Sequence, residues 1–340
     1  MTNVVQAIQN ALTWLETQCN ASWVAATISM MVGFVLLLVG GNVLVSGASG
    51  VARRLGIPSL IIGLTIVAAG TSAPELFLNL AAALDGATDL CFGNIVGSNI
   101  ANVGLVLGIG GLITPLVVPR RVIRNELPWM IGVSAMLVVF VIITEPGEAA
   151  STRGIGRLGG LIYFTIFLGL ILAWVWMCVR DETPPEDPDE ILPTWAISLT
   201  LLILGMVLLP LGGEAARAGA VGLATAMNVP NVVIGLTIVA LATSLPEVAT
   251  TIAACRQGKT DLAVGNVVGS NLFNLLLVMG LTATVNPVAL PAGGWLSMGV
   301  MIGIALLLIP LAMTNQRRIT RGESLLLLAI YAGYMIYLVV

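Results

Sequence analysis

The 340-residue chain contains no histidine, and only 9% of it is charged. The missing imidazole excludes a histidine proton relay, a histidine-ligated metal and any Ser-His or Cys-His nucleophilic pair. A soluble domain carries about 25% charged residues to keep its surface wet. Here 58% of residues are hydrophobic, more than an aqueous fold of this length can hide, so the solvent of most of its surface is lipid. Fourteen basic residues cannot both cover a phosphate backbone and fix a membrane topology, which excludes a nucleic-acid partner. Cysteine is scarce as well. Cys19, Cys91, Cys178 and Cys255 stand far apart with no CxxC, and read as small apolar residues. The N-terminal segment 1–22 has no basic n-region and no continuous apolar stretch, so it does not resemble a cleaved signal; residues 4–18 suit a short interfacial helix.

What the chain does have is apolar runs long enough to cross a bilayer, which takes about 20 residues. They lie near 23–50, 60–84, 92–115, 125–144, 157–179, 195–224, 233–255, 263–286, 294–314 and 323–340, ten in all. The first and sixth are longer than a perpendicular crossing needs, which implies tilt or protrusion. With ten spans both termini share a side. Opposite them lie Arg53, Arg54, Arg120, Arg121, Arg124, Arg180, Arg256, Lys259, Arg317, Arg318 and Arg321, against only Arg153 and Arg157 on the terminal side. The positive-inside rule therefore puts both termini of this multi-pass protein outside the cytoplasm. The acidic, proline-rich segment Asp181–Pro193 divides the chain. The expected layout is an extracytoplasmic segment (1–22), a first five-helix half (23–180), a cytoplasmic linker (181–193) and a second five-helix half (194–340).

The halves are related. Residues 58–108 and 230–280 align without a gap at an offset of 172, with 28 identities in 51 positions that include Pro, Glu, Asn, Ser and Thr. The offset spans five crossings, an odd number, so the copies lie in opposite orientations. The predicted fold is an all-α membrane protein of ten transmembrane helices in two inverted five-helix repeats, an architecture that places a transporter's substrate at the bilayer midplane.

Nearly all acidic residues fall in loops or at helix ends. Glu75 and Glu247 do not, and they occupy equivalent repeat positions. A buried, unpaired carboxylate costs several kcal/mol, and neither motif holds a Lys or Arg to neutralise it. Two carboxylates brought together repel unless one protonates or a cation sits between them; they read as cation ligands. Pro74 and Pro246 lack an N–H, so each should kink its helix and free carbonyls around Ala68–Thr71 and Ala240–Thr243, beside the hydroxyls of Thr71, Ser72, Thr243 and Ser244. Carboxylate, carbonyl and hydroxyl are hard oxygen donors suited to Ca²⁺ and Na⁺. Asn94, Ser98 and Asn102 form a polar helical stripe, repeated by Asn266, Ser270 and Asn274. Asn99 and Asn271 lie off the stripe and suit a structural role, while Gly93, Gly97, Gly104 and Gly108 should admit close helix approach. Glu214 and Arg217, three apart on span six, suit an ion pair; Glu126 suits the interface; Asp89 and Asp261 suit helix N-termini.

Gly70-Thr-Ser-Ala-Pro-Glu75 with Gly93-Asn-Ile-Val-Gly-Ser-Asn99, and Thr243-Ser-Leu-Pro-Glu247 with Gly265-Asn-Val-Val-Gly-Ser-Asn271, resemble the two α-repeats of the sodium/calcium exchanger family, in the cation/Ca²⁺ antiporter superfamily. The short central linker is similar to that of prokaryotic members, and the resemblance implies the prokaryotic inner (plasma) membrane. The resemblance implies export of Ca²⁺ in exchange for Na⁺ by alternating access. It also implies Ca²⁺ ligation by Glu75 and Glu247 with the carbonyls of Thr71 and Thr243. Na⁺ would use Ser72, Ser244, Ser98, Ser270 and the carbonyls of Ala68 and Ala240, with spans one and six as the helices that slide. Relatives often carry Asp where this chain has Asn102 and Asn274; the departure leaves a site of formal charge −2 and argues against K⁺ co-transport. H⁺/Ca²⁺ exchange is the alternative, since carboxylates also carry protons, and another divalent cation would need the same ligands. An intramembrane hydrolase lacks its histidine or mid-span Asp, and the expectation is a transporter, not an enzyme. The expected partners are small inorganic cations and the lipid bilayer, with no cofactor and no obligate protein partner.

Overall fold

The structure, a computed structural model, describes residues 2–143, 153–180, 194–229 and 240–339, with side chains from residue 10 onward except at 177–180, 240 and 339. The acidic segment 181–193, the first half of span seven (230–239) and the Cys178 side chain lie outside the described residues. Thirteen helices run through the rest: α1 (Thr2–Ala21), α2 (Trp23–Leu55), α3 (Ser59–Thr71), α4 (Ala73–Leu84), α5 (Thr88–Ile113), α6 (Val122–Ile143), α7 (Arg157–Arg180), α8 (Trp195–Ala226), α9 (Ala240–Thr243), α10 (Leu245–Arg256), α11 (Thr260–Val285), α12 (Gly294–Met313) and α13 (Arg321–Val339). Among the described residues seven helices are long and apolar enough to cross a membrane, and the bent pair α3–α4 makes eight.

Local chemistry sets the boundaries, and the boundaries repeat between the halves. The Ser22 hydroxyl caps α2 by accepting from the Ala25 N–H, and the left-handed Gly56 (φ 65°) ends it. Asn228 (φ 57°) stands in the same place after α8. Pro115 and Pro287 force the residue before them out of the helical region. Thr114 and Asn286 are accordingly extended, and the chain leaves α5 and α11 there. Short strands follow, which an all-helical expectation omitted. β1 (Leu116–Val117) pairs antiparallel with β4 (Arg318–Ile319), and β2 (Gly154–Ile155) with β3 (Val288–Ala289).

The helices are not uniform either. Gly63–Val67, Asn102–Val106, Val122–Glu126 and Phe273–Val278 are π-helical, each turn holding an extra residue. Such bulges re-aim side chains and concentrate at functional sites.

Length sets α2 and α8 apart. At 33 and 32 residues they run about 50 Å, against a hydrocarbon core of about 30 Å. They pack on each other through glycines at heptad spacing, Gly33, Gly40 and Gly47 against Gly205, Gly212 and Gly219. A Cβ at Gly33 would stand 2.3 Å from the Ala216 nitrogen, and one at Gly47 2.3 Å from the Leu202 nitrogen. In lipid, where apolar side chains gain nothing by leaving solvent, this backbone contact supplies the attraction.

The N-terminal segment is helical, as expected, and α1 docks on this pair. Cys19 is buried against Ala26 and Ala218. Arg217 clasps Glu214 at 2.9 and 2.6 Å, as its spacing implied, and also holds Glu16 of α1. Glu214 is bound twice and Glu16 once, with Glu16 the more exposed. Glu214→Gln should therefore destabilise by about 1–2 kcal/mol and Glu16→Gln by under about 1 kcal/mol. Thermal melting in detergent reads the order, and equal losses would show that Arg217 does not discriminate between them. Glu126, at the start of α6, is buried and paired with Arg121 at 3.1 Å.

Candidate functional site

The site grows from two helix breaks. Proline on the second residue of α4 and of α10 removes a backbone donor, and the chain bends just before it. At the first break Ser72 (φ −89°, ψ 4°) separates α3 from α4, which diverge by 45°. Ser244 (φ −87°, ψ −1°) does the same between α9 and α10. The two breaks differ in detail. The Ser72 N–H returns to the Ala68 carbonyl at 2.9 Å, which also accepts the Thr71 hydroxyl at 3.3 Å. The Ser244 N–H goes one residue less far, to Leu241 at 3.1 Å, so it leaves the Ala240 carbonyl out of that bond.

Each break puts a glutamate in the first turn of the following helix, and both glutamates are 1% exposed. The carboxyls lie within electrostatic reach of each other. Glu247 accepts from the Ser72 hydroxyl at 3.3 Å and the Ser270 hydroxyl at 3.4 Å, one donor from each half. Thr71 lies 3.3 Å from both Asn266 Oδ1 and Ser270 Oγ. Residues 71, 72, 247, 266 and 270 thus form one connected cluster. Oε2 of Glu75, Oε2 of Glu247, Oγ of Ser98 and Oγ of Ser244 have no partner among the described residues.

The asparagines cross between halves. The π turn carrying Asn102 packs against α10, the Glu247 helix, and the π turn carrying Asn274 packs against α4, the Glu75 helix. Asn102 donates to Asn271 at 3.0 Å, leaving its own Oδ1 unpartnered, and neither polar atom of Asn274 has a partner among the described residues. Asn271 joins the halves as well by donating to the Asn99 carbonyl at 3.3 Å, so its off-stripe position has the structural use expected of it. Thr243 is half-buried beside the second break. Of the predicted ligand residues whose side chains are described, all are buried except the half-buried Thr243; Thr71, Ser72, Glu247 and Ser270 are joined in the cluster, and Ala240 is placed by its backbone alone.

Asn79 was not read from the sequence as a site residue. One turn beyond Glu75, fully buried, it donates to the Glu75 carbonyl at 2.6 Å and to Asn94 Oδ1 at 2.8 Å. Its counterpart is Thr251, so the repeat gave no signal for it. The glycine stripe divides: Gly104 and Gly108 pack on Tyr331 and Leu328 of α13, while Gly93 and Gly97 border a cavity. That cavity, about 500 Å³, runs from Asp89 past Asn94 to Ser98 and is walled by Pro291, Tyr331 and Tyr334. Asp89 and Asp261 occupy the first turns of α5 and α11, as expected.

Chemically, the cluster offers two carboxylates and a set of neutral oxygens, with no third acidic, histidine or cysteine ligand among the described residues. Similar proteins are known along almost the whole chain. The sodium/calcium exchanger protein family profile matches residues 25–176 and 197–340. The chain is 38% identical to a putative antiporter, CaxA, of Alkalimonas amylolytica over 91% of this chain and 97% of that one. It is 28% identical to the sodium/calcium exchanger MaX1 of Methanosarcina acetivorans over the same shares. Among solved structures it superposes on the sodium-calcium exchanger NCX_Mj soaked with Na⁺ and Sr²⁺ with a TM-score of 0.78, at 26% identity, covering 93% of this chain and 99% of that one.

Proposed function

The chain belongs to the sodium/calcium exchanger family, and on that premise we propose that it exports Ca²⁺ in exchange for Na⁺ by alternating access. The observation that carries this reading is a group of buried oxygens without a partner among the described residues. Oε2 of Glu75 and Glu247, Oγ of Ser98 and Ser244, and Oδ1 of Asn102 and Asn274 are all buried and unpartnered among the described residues. Buried oxygens without a partner are costly, and a bound cation would satisfy these. Ca²⁺ takes six to eight oxygens at ~2.3–2.6 Å, which suits two carboxylates, the carbonyls of Thr71 and Thr243, and the asparagine amides. Na⁺ draws on Ser72, Ser244, Ser98, Ser270 and the carbonyls of Ala68 and Ala240. The ligands overlap, so the ions compete, and competition is the coupling.

The proposed frame is ten spans in two inverted repeats, with both termini outside the cytoplasm. The bent α3–α4 pair is span two, α10 is the second half of span seven and α13 is span ten. The backbone breaks at Ser72 and Ser244, and the left-handed residues 56 and 228, support the repeat. The cavity from Asp89 to Ser98 would then be the extracytoplasmic entry. Two carboxylates carry charge −2. One Ca²⁺ neutralises them and three Na⁺ overcompensate by one, so a 3:1 cycle moves net charge and follows the membrane potential.

The test is ⁴⁵Ca²⁺ uptake by reconstituted liposomes. An outward Na⁺ gradient should drive uptake, which an inside-negative potential opposes. If only an imposed pH gradient drives it, the coupling ion is H⁺, carried by the glutamates. If neither gradient does so in correctly inserted protein, the antiport reading fails.

A further inference from the structure

The β1–β4 ribbon brings together two basic segments from opposite halves of the chain. Val117 stands opposite Arg318, and the Val118 N–H donates to the Arg317 carbonyl at 2.8 Å. Arg120, Arg121 and Arg124 lead from the ribbon into α6, and Arg321 opens α13. Two of the six guanidiniums are engaged: Arg121 holds Glu126, and Arg321 donates to the Leu112 carbonyl at 3.1 Å. Arg120, Arg124, Arg317 and Arg318 are exposed, and no hydrogen bond or ion pair forms at their side chains among the described residues.

Nearby acids offer little relief. Glu323 already accepts from the Thr314 and Thr320 hydroxyls, the Thr320 N–H and Asn315. It stitches a turn in which Asn315, Gln316 and Arg317 all have left-handed φ, a costly backbone for residues with a Cβ. Glu126 is buried under Arg121, and Asp261 sits half-buried in the first turn of α11. A few residues from these cations in the sequence, Val117, Trp129, Met313 and Leu325 are exposed apolar side chains. Basic side chains near exposed apolar ones, a Trp among them, match the profile of a membrane interface. The equivalent ribbon β2–β3 shares it only in part: Arg153 and Arg157 flank β2, but the repeat counterparts of Arg120, Arg121 and Arg124 are Ala292, Gly293 and Leu296. Ribbon folding therefore does not require Arg120, Arg121 and Arg124. A topology signal needs only positive charge in the loop, not four unpaired guanidiniums gathered on a folded element.

We propose that the β1–β4 ribbon is a binding site for the phosphate headgroup of an anionic phospholipid, held by Arg120, Arg124, Arg317 and Arg318. Guanidinium matches phosphate through paired N–H donors, and the acyl chains would lie along the exposed apolar residues of α6, α12 and α13. The site is independent of which ions are exchanged.

Full-length delipidated protein, titrated with phosphatidylglycerol or phosphatidylcholine and read by native mass spectrometry, tests the proposal. Wild type should prefer phosphatidylglycerol at least ~10-fold. The variant R120Q/R124Q/R317Q/R318Q should lose most of that preference, and R153Q/R157Q at the opposite ribbon should keep it. Should the fourfold variant fold poorly, R120Q/R124Q and R317Q/R318Q are each expected to weaken retention ~3-fold with melting in phosphatidylcholine unchanged. Unchanged preference in the ribbon variants overturns the site. So does effective competition by millimolar inorganic phosphate, which would make the ligand a free anion. Preference that emerges only after the carboxylates of residues 181–190 are neutralised also overturns it, since that segment would then be the ribbon's partner.

Discussion

Glu75→Gln and Glu247→Gln should each abolish exchange while leaving the protein folded. At an effective dielectric of about 20, a unit charge ~4 Å from a monovalent cation is worth about 4 kcal/mol. That is roughly a 1000-fold loss of affinity, and more for a divalent ion. Folding should respond the other way. Both carboxyls are buried at 1% exposure within electrostatic reach of each other, so converting one to an amide relieves a repulsion. Ion-free variants should melt at or above the wild-type temperature. Ca²⁺ at ~100 times its Kd should stabilise wild type by about 2.7 kcal/mol and stabilise neither variant. Retained flux with retained Ca²⁺ stabilisation in either would move the cation site elsewhere. The two need not fail identically: Oε2 of each is unpartnered, but Oε1 of Glu247 accepts from the Ser72 and Ser270 hydroxyls, bonds with no counterpart at the Glu75 carboxyl among the described residues. Glu75→Gln should therefore raise the ion-free melting temperature more.

The breaks that carry these glutamates were legible in the sequence because their cause is covalent. Proline has no N–H wherever it stands, and Pro74 and Pro246 stand in equivalent places. The ion pair at Glu214 and Arg217 was legible for a similar reason, since a spacing of three on a helix fixes the two side chains on one face. Glu16 was not, because nothing in its own segment reports that α1 docks on α8. Asn79 escaped because the argument leaned on symmetry, and its counterpart is Thr251. The π turns escaped because one inserted residue per turn leaves no compositional mark; their effect is to carry Asn102 and Asn274 to the opposite half's glutamate helix. The strands were available but unread in Pro115 and Pro287, which end α5 and α11 at matching positions. The glycine heptads of α2 and α8 were available too. They obey the same repeat offset but fall outside the segment aligned on its polar motifs.

Those heptads support the other large expected effect. Gly33→Ala and Gly205→Ala should lower the melting temperature and the reconstituted flux, although alanine is the better helix former by about 1 kcal/mol. The contact decides the sign. A Cβ at Gly33 would meet the Ala216 nitrogen at 2.3 Å and the Gly212 oxygen at 2.7 Å; one at Gly205 would meet the Leu44 nitrogen at 2.7 Å. These are backbone atoms, which have no rotamer to turn away, so the helices must separate along a seam of six glycines. Overpacking of this kind costs about 1–3 kcal/mol, and separation also forfeits the close packing that holds helices together in lipid. Gly132→Ala on α6, where a Cβ meets nothing within 4 Å, is the matched control and should be neutral or slightly stabilising. A second substitution separates backbone contact from side-chain crowding. Ala216→Gly removes a methyl group but leaves the nitrogen and Cα that Gly33→Ala strikes at 2.3 and 2.8 Å, so it should not rescue that variant. Rescue would mean that the two helices meet through side chains.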